Sequence, residues 1–285
     1  MNQVHTPVSL PVALTIAGSD SGGGAGMQAD LKTMTRHRVF GTSVVTATTA
    51  QHTRGVDDVH PIPPAHVRAQ YDAVAGDFAV SAVKTGMLAT AEIVNTVTTA
   101  LDGFDGPVVV DPVMVAASGD RLLSPAAEDA YLDLIEGSTL VTPNVDEAAV
   151  LLDTTIDTPA DVEQAGRALV DHGVDAALIT GGHLDADGDH AASTVTDTLV
   201  AAESVSDVDG DGTTVRQYVN PRVATDATHG SGCTLSTAIT ARLARGESLH
   251  AEVTAAVNGM SEAIRRGYAV GQGPGAVNPA RLDSA

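Results

Sequence analysis

Val12-Ala13-Leu14-Thr15-Ile16-Ala17, then Gly18-Ser19-Asp20-Ser21-Gly22-Gly23-Gly24-Ala25-Gly26, then Met27 to Arg36, is the stretch that decides the fold. The first part is apolar enough for a strand buried on both faces, the second is too glycine-rich to extend it, and the third reads as a helix. The same grammar recurs along the chain. Ser43 to Thr49 reads as a strand ending at Gln51, Ser81 to Val83 ends at Lys84-Thr85-Gly86, and Val108 to Val110 ends at Asp111-Pro112. Leu140-Val141 ends at Thr142-Pro143-Asn144 before a helix over Asp146 to Leu152, and Ala176 to Ile179 ends at Thr180-Gly181-Gly182. Strands apolar on both faces, alternating with helices, predict an α/β fold with a mostly parallel sheet covered on both sides. Ligands of such sheets lie beyond the carboxyl ends of the strands, where this chain gathers its glycines and polar residues. No linker, repeat or low-complexity tract divides residues 1–285, so one domain is expected.

Charge narrows the function. Against 36 acidic residues stand 15 basic ones, a formal net charge of −21, and Lys32 and Lys84 are the only lysines. Nucleic acid is an unsuitable partner for such a surface. Self-repulsion on this scale is relieved when molar salt shortens the Debye length to ~3 Å, which points to a salt-loaded cytoplasm. The lone Cys233 excludes an internal disulfide and a cysteine-based zinc site. Met1 to Leu10 lacks the basic and apolar regions of a signal peptide, and the apolar runs are too short to span a bilayer, so a soluble cytoplasmic protein is expected. The Asp- and Gly-rich stretch from His183 to Asn220 reads as a solvated hairpin, its acids belonging to the surface.

Thr228-His229-Gly230-Ser231-Gly232-Cys233 precedes a run of small and apolar residues that reads as a helix. Glycines permit the turn, the first amides of the helix lack intrahelical partners, and the helix dipole favours an anion there. A thiol at that position is expected to have a lowered pKa; alternatively Cys233 is a small packed hydrophobe at an ordinary junction. The first glycine run is neither a P-loop nor a dinucleotide fingerprint, but it lets a small substrate approach, with Asp20 or Asp30 as acceptor, unless it is only a tight turn. Asp111 at a buried strand end invites a cation. Asn144 and Glu147 suit Mg²⁺, although an N-cap with its capping-box acid explains the same spacing. Lys84 reads most simply as a solvated charge, and His183 and His229 as phosphate ligands or ordinary histidines. Gly271 to Pro279 reads as a loop over a nucleotide or as a disordered terminus.

Ala17-Gly18-Ser19-Asp20, Gly23 to Lys32, Thr49-Ala50-Gln51, Lys84-Thr85-Gly86-Met87-Leu88, Asp111-Pro112-Val113-Met114, Ser118-Gly119-Asp120, Thr142 to Ala148, Gly181-Gly182-His183 and Thr228 to Thr234 occur in order over nearly the whole chain. Together they resemble the hydroxymethylpyrimidine/phosphomethylpyrimidine kinases of thiamine biosynthesis, in the ribokinase superfamily. The cysteine at 233, where sugar kinases of that superfamily carry an aspartate, is specific to this branch. The resemblance implies a ribokinase-like three-layer α/β/α sandwich, ATP as donor with Mg²⁺, and an aminopyrimidine alcohol phosphorylated twice. It implies Gln51, Asp30, Gly18, Gly26 and Met87 around the pyrimidine, Gly230, Gly232 and Cys233 as anion hole and base, and Asp111, Asn144, Thr180, His229 and Ser231 on the phosphates. Asn144, Glu147 and Asp111 would surround the hydrated Mg²⁺. Two lysines common among relatives are replaced by Thr180 and, by approximate alignment, Asn258; K⁺, Lys84 or His229 are the candidates to compensate. A homodimer is the expected assembly. The rival readings are a pyridoxal kinase of the same branch and a non-catalytic pyrimidine-binding protein; the poor glycine fingerprint disfavours a nicotinamide oxidoreductase.

Overall fold

The computed structural model describes residues 6–114, 125–181, 193–203 and 213–282. Strand β1 (Val12–Ala17) leads through the glycine-rich loop to helix α1 (Gly26–Arg36), and β2 (Phe40–Val45) lies parallel to β1. An antiparallel ribbon of β3 (Ala47–His52) and β4 (Gly55–Pro61) follows, and α2 (Pro64–Ala75) then carries the chain to β5 (Val80–Thr85) on the other side of β1. Next come α3 (Ala91–Leu101), β6 (Val108–Val110), α4 (Pro125–Ile135), β7 (Leu140–Val141), α5 (Val145–Leu151), α6 (Pro159–Asp171) and β8 (Ala176–Ile179). The hairpin of β9 (Thr194–Ala201) and β10 (Thr214–Pro221) precedes α7 (Ser231–Leu243) and α8 (Leu249–Arg265). The main sheet has eight strands in the order β10-β9-β8-β7-β6-β5-β1-β2. Because the chain leaves β1 first to β2 and later returns to its other side at β5, a crevice opens beyond the carboxyl end of β1.

The doubly apolar strands serve two cores. Val109, Leu140, Ala176 and Leu178 pack under α7 and α8, while their neighbours Val110, Val141, Ala177 and Ile179 pack under α3 to α6. This is the two-residue period of a strand covered on both faces. Burying each of the larger side chains contributes about 1.5–3 kcal/mol. Helix α7 is buried from Thr234 to Leu243 and is rich in Thr, Ser and Ala, small enough to lie between the sheet, α1 and α8. Its hydroxyls turn back to their own backbone, as Thr240 does to the Ser236 carbonyl at 2.8 Å, or reach buried carboxylates described below.

Three expectations change. Ser43 to Thr49 is not one strand: β2 stops at Val45, and buried Thr46 donates its amide to the Ala17 carbonyl at 3.1 Å and its hydroxyl to the Met87 carbonyl at 2.7 Å. The chain changes sheet there without any turn residue, so Gln51 lies on the ribbon and not at the end of a strand of the main sheet. The hairpin after residue 183 is no solvated appendage, since β9 pairs with β8 and buries Leu199, Val200 and Ala201. The Gly271 to Pro279 segment is ordered: Ala276 bridges both His229 and Tyr268, and Pro279–Arg281 form a 3-10 turn. Ser118-Gly119-Asp120, Gly182 and His183 fall outside the described residues. Among the described residues no helix is long and apolar enough to cross a membrane.

Candidate active site

The two glycine loops interlock at the crevice beyond β1. Gly230, the N-cap of α7, has φ of 79°, and a Cβ there would overlap the Gly24 carbonyl, while a Cβ on Gly24 would stand 2.5 Å from the His229 ring. Gly230 is therefore glycine because two backbones meet. Gly232 differs: it is exposed, and its added Cβ would meet only Asp111 Oδ1, at 4.0 Å. Ser231 donates its amide to the Thr228 carbonyl at 3.1 Å and Thr234 to that of Gly230 at 2.9 Å. Among the described residues, the amides of Gly232 and Cys233 have no backbone acceptor. Two N–H groups at the positive end of a thirteen-residue helix thus open on the face shared with Asp111, an anion hole of the kind that helix N-termini form.

The first glycine run is organised around its own acid. Asp20 accepts the amides of Gly22 at 2.7 Å, Gly24 at 2.9 Å and Ala25 at 2.8 Å, and its own amide is held by Gln28 Oε1 at 2.8 Å. His229 Nε2 lies 2.9 Å from Asp20 Oδ2. Burial opposes the charge, but the His229 bond and the loop amides hold the Asp20 carboxyl down at about 2. The expected phosphate-type loop therefore spends several of its donors on an internal carboxylate. His229 ties this loop to the anion hole.

Behind the hole lies an ion network that the sequence concealed. Lys84, read as solvated, is fully buried; its Nζ lies 3.2 Å from each Asp30 oxygen and 3.4 Å from Asp111 Oδ2. Asp30 also accepts the Thr15 hydroxyl at 2.6 Å and the Thr237 hydroxyl at 2.7 Å, and Asp111 accepts the Ser236 hydroxyl at 3.1 Å. The expectation of Asp30 beside a substrate ring meets a side chain with 0% exposure and its oxygens already engaged. Although burial works against the ammonium, the Asp30 and Asp111 carboxylates hold Lys84 above the ordinary lysine range. Thr15, Ser236 and Thr237 carried no motif. Only the pairing of a rare lysine with a strand position, where alternation points it away from Val83 and towards α1 and α7, could have revealed the network.

Cys233 reverses its expectation. Burial pushes the thiol up to about 12, with the Asp111 and Asp30 carboxylates adding to the rise and Lys84 opposing it; the Gly26 amide donates to the sulfur. The helix terminus does not outweigh desolvation beside two acids. The resting group is an S–H.

On the other flank, α5 begins with a full capping box: the Asn144 side chain accepts the Glu147 amide at 2.9 Å, and Glu147 Oε2 accepts the Asn144 amide at 2.9 Å. The cap reading of these two residues is present in full. Glu147 Oε1 also accepts the Met114 amide at 3.4 Å, yet burial and the nearby Asp111 raise this carboxyl to about 8. Burial likewise raises Asp111 despite Lys84. Two buried carboxyls with raised pKa values at one sheet edge are short of positive charge, which fits a divalent cation. Among the described residues no group of three or more His, Cys, Asp or Glu forms a cage, so such an ion would keep water or phosphate oxygens as its other ligands. Thr180 closes this edge, donating its amide to the Pro143 carbonyl at 3.0 Å and bridging Asn144; Asn258 is exposed on α8.

The opposite wall is the ribbon. Gln51 is half-buried at a register shift of β3; its amide N–H and carbonyl are both held by Ser21 Oγ, at 2.8 and 2.7 Å, and Thr49 Oγ1 donates to Gln51 Oε1 at 3.2 Å. The side-chain NH₂ has no protein acceptor among the described residues. Gly18 donates its amide to the Met87 carbonyl at 3.0 Å, and a Cβ on it would collide with the Met87 methyl. Met87 packs with Ala47 and Ala89 against Val113, between ribbon and sheet. Gly26, with φ of 55°, stands where a Cβ would lie 2.6 Å from the Gly18 carbonyl.

Residues 20–278 match the family model described as phosphomethylpyrimidine kinase. The hydroxymethylpyrimidine/phosphomethylpyrimidine kinase of Streptomyces coelicolor is 44% identical over 273 residues, 95% of each chain. The ADP complex of Bacillus subtilis pyridoxal kinase superposes with a TM-score of 0.84 at 32% identity, covering 96% of this chain and 99% of the other. The phosphomethylpyrimidine kinase of Clostridium difficile superposes with a TM-score of 0.74 at 36% identity, covering 89% and 99%. These are ribokinase-like folds.

Proposed function

We propose, from the premise that this chain belongs to the phosphomethylpyrimidine kinase family, that one site at the start of α7 carries both transfers of the family's reaction. ATP donates a phosphoryl group first to the hydroxymethyl oxygen of a 4-amino-5-hydroxymethyl-2-methylpyrimidine, then to the resulting monophosphate. The observation that carries this reading is the pair of open amides at Gly232 and Cys233, facing Asp111. They stabilise charge on the transferring group, the main demand of phosphoryl transfer. Gln51 presents its free side-chain NH₂ from the ribbon to the ring edge of the pyrimidine. Ser231 in the first helical turn, with Asn144 and Thr180 across the crevice, lies on the phosphate side.

Asp111 and Glu147 would hold a hydrated Mg²⁺, and Asn144 fixes Glu147 through the capping box. When bound, the ion neutralises charge on the donor's phosphoryl oxygens. Lys84 and His229 are both engaged by carboxylates, so K⁺ is the remaining candidate for the charge lost at Thr180 and Asn258. The net charge of −21 with two lysines supports a protein adapted to molar salt.

The minor thiolate form of Cys233 is the proton acceptor for the alcohol. An alcohol must lose its proton on attack, whereas a monophosphate with a second pKa near ~6 is already largely ionised. With burial pushing the thiol up to about 12, only a small minority of sites are thiolate at pH 7, and that share rises with pH. Cys233→Ala should slow the alcohol's single turnover by ~10²–10⁴ and remove its rise with pH, with a smaller effect on the monophosphate. Equal losses for both substrates would assign Cys233 to the shape of the anion hole. A variant as fast as the parent would make it a packed hydrophobe.

A further inference from the structure

The glycine-rich segment after α8 is fastened to the tip of the ribbon by one side chain. Thr53 and Arg54 form the two-residue turn between β3 and β4, where His52 pairs with Gly55. The Thr53 hydroxyl accepts the amides of Gln272 at 3.1 Å and Gly273 at 3.0 Å, across more than two hundred residues of chain. The two glycines are shaped to this contact. Gly271, with φ of 73°, would drive a Cβ into the Thr53 side chain, and Gly273 would drive one into the Thr53 carbonyl. A glycine loop that merely ended the chain would need neither fit.

Both ends of this fastening lead into the site. Thr53 is two residues beyond Gln51, on the same turn-closed ribbon. In the other direction, His229 donates its amide to the Gly275 carbonyl at 3.2 Å and its carbonyl accepts the Val277 amide at 3.0 Å, which joins the segment directly to the loop before α7. The segment also walls a cavity of about 430 Å³ with Thr225, Asp226 and Ala227. We propose that Thr53 is a positioning residue that couples the two substrates: its hydroxyl locks the ribbon carrying Gln51 to the 271–275 loop, so that seating one substrate pre-orders the wall that receives the other. This rests on reading the ribbon as the pyrimidine wall and the cavity as the nucleotide side.

The physical basis is shared ordering. Two walls fastened as one body are positioned together, so the ligand that seats first against one also sets the other for the second ligand. By linkage the gain is the same in either order. The test measures the dissociation constant of the hydroxymethylpyrimidine by calorimetry, with and without a saturating non-hydrolysable β,γ-methylene ATP analogue and Mg²⁺. It uses the parent, Thr53→Val, which keeps the shape but removes the acceptor, and Thr53→Ser, which keeps the acceptor. The parent and Thr53→Ser should bind the pyrimidine at least about fivefold more tightly with the analogue present, and Thr53→Val should show a ratio near one with a normal melting profile. A full ratio in Thr53→Val, or a ratio of one in the parent, overturns the coupling while leaving the kinase reading intact. Failure of the parent to bind the pyrimidine at all would overturn that reading and the coupling with it. Unfolding of Thr53→Val is controlled by Gln272→Pro, which removes one of the two donated amides from the other side and should lower the ratio in the same direction.

Discussion

Replacing Lys84 by methionine keeps the bulk of the side chain and removes the one ammonium shared by Asp30 and Asp111. Asp30 keeps the Thr15 and Thr237 hydroxyls and Asp111 keeps Ser236, so neither loses every donor, but both carboxyls remain buried without a counter-charge. Breaking a buried pair from one side costs about 3–5 kcal/mol. For a domain of this size, with an unfolding entropy of roughly 0.6 kcal/mol per kelvin, that lowers Tm by about 5–8 °C. The loss has a pH signature. Without the ammonium, Asp111, whose carboxyl burial raises and Lys84 lowers, keeps its proton in the folded state well above its unfolded value of about 3.9. Between those values the folded protein binds more protons than the unfolded chain, so the variant's stability falls as pH rises. The deficit against the parent should be widest near pH 7.5 and narrow towards pH 5. Urea melts of both proteins at the two pH values measure it. A deficit under about 1 kcal/mol, or one of equal size at both pH values, would refute the account of the network.

His37 titrates in the opposite sense. It is 1% exposed, and burial, with Arg242, Arg36 and Arg245 nearby, lowers it to about 4 from an ordinary 6.5. The unfolded chain takes the proton first, so stability is intact above pH 6.5 and should decline towards pH 4 by about 3 kcal/mol; His37→Phe should remove that part of the slope, and an unchanged slope would clear His37 of the role. The acidic surface predicts a Tm that climbs steadily from about 0.1 M to about 2 M KCl. A flat or falling Tm over that range would contradict salt adaptation.

The strands and helices were legible because each carries its own period or punctuation: the apolar triplet at Val108 to Val110 and the glycines after Ala17 mark their elements unaided. The break at Thr46 was not, because Ser43-Val44-Val45-Thr46-Ala47-Thr48-Thr49 holds no glycine, proline, asparagine or aspartate to mark it and the chain changes sheet by hydrogen bonds to distant carbonyls. Site residues divide in the same way. The capping box at Asn144 and Glu147 is local and could be read from spacing; the raised pKa of Glu147 depends on Asp111, far away in sequence. Cys233 was misjudged because a helix N-terminus is visible in sequence and the burial beside Asp30 and Asp111 is not. Lys84, Asp30 and Thr237 lie on three different elements, and only the packing of α1 and α7 on the sheet brings them together. The Gly271 to Gly275 segment displayed its glycines but not their partner, Thr53.

The most direct measurement for the central claim is product analysis of a single reaction, with the hydroxymethylpyrimidine, MgATP and molar KCl, followed in time by separation of the alcohol, monophosphate and pyrophosphate. The account predicts that the monophosphate appears first and is then consumed, that the pyrophosphate accumulates with two ATP used per molecule formed, and that added monophosphate alone is converted with one. Pyridoxal phosphorylated with the higher kcat/KM, or pyrimidine bound without any ATP consumed, would contradict it.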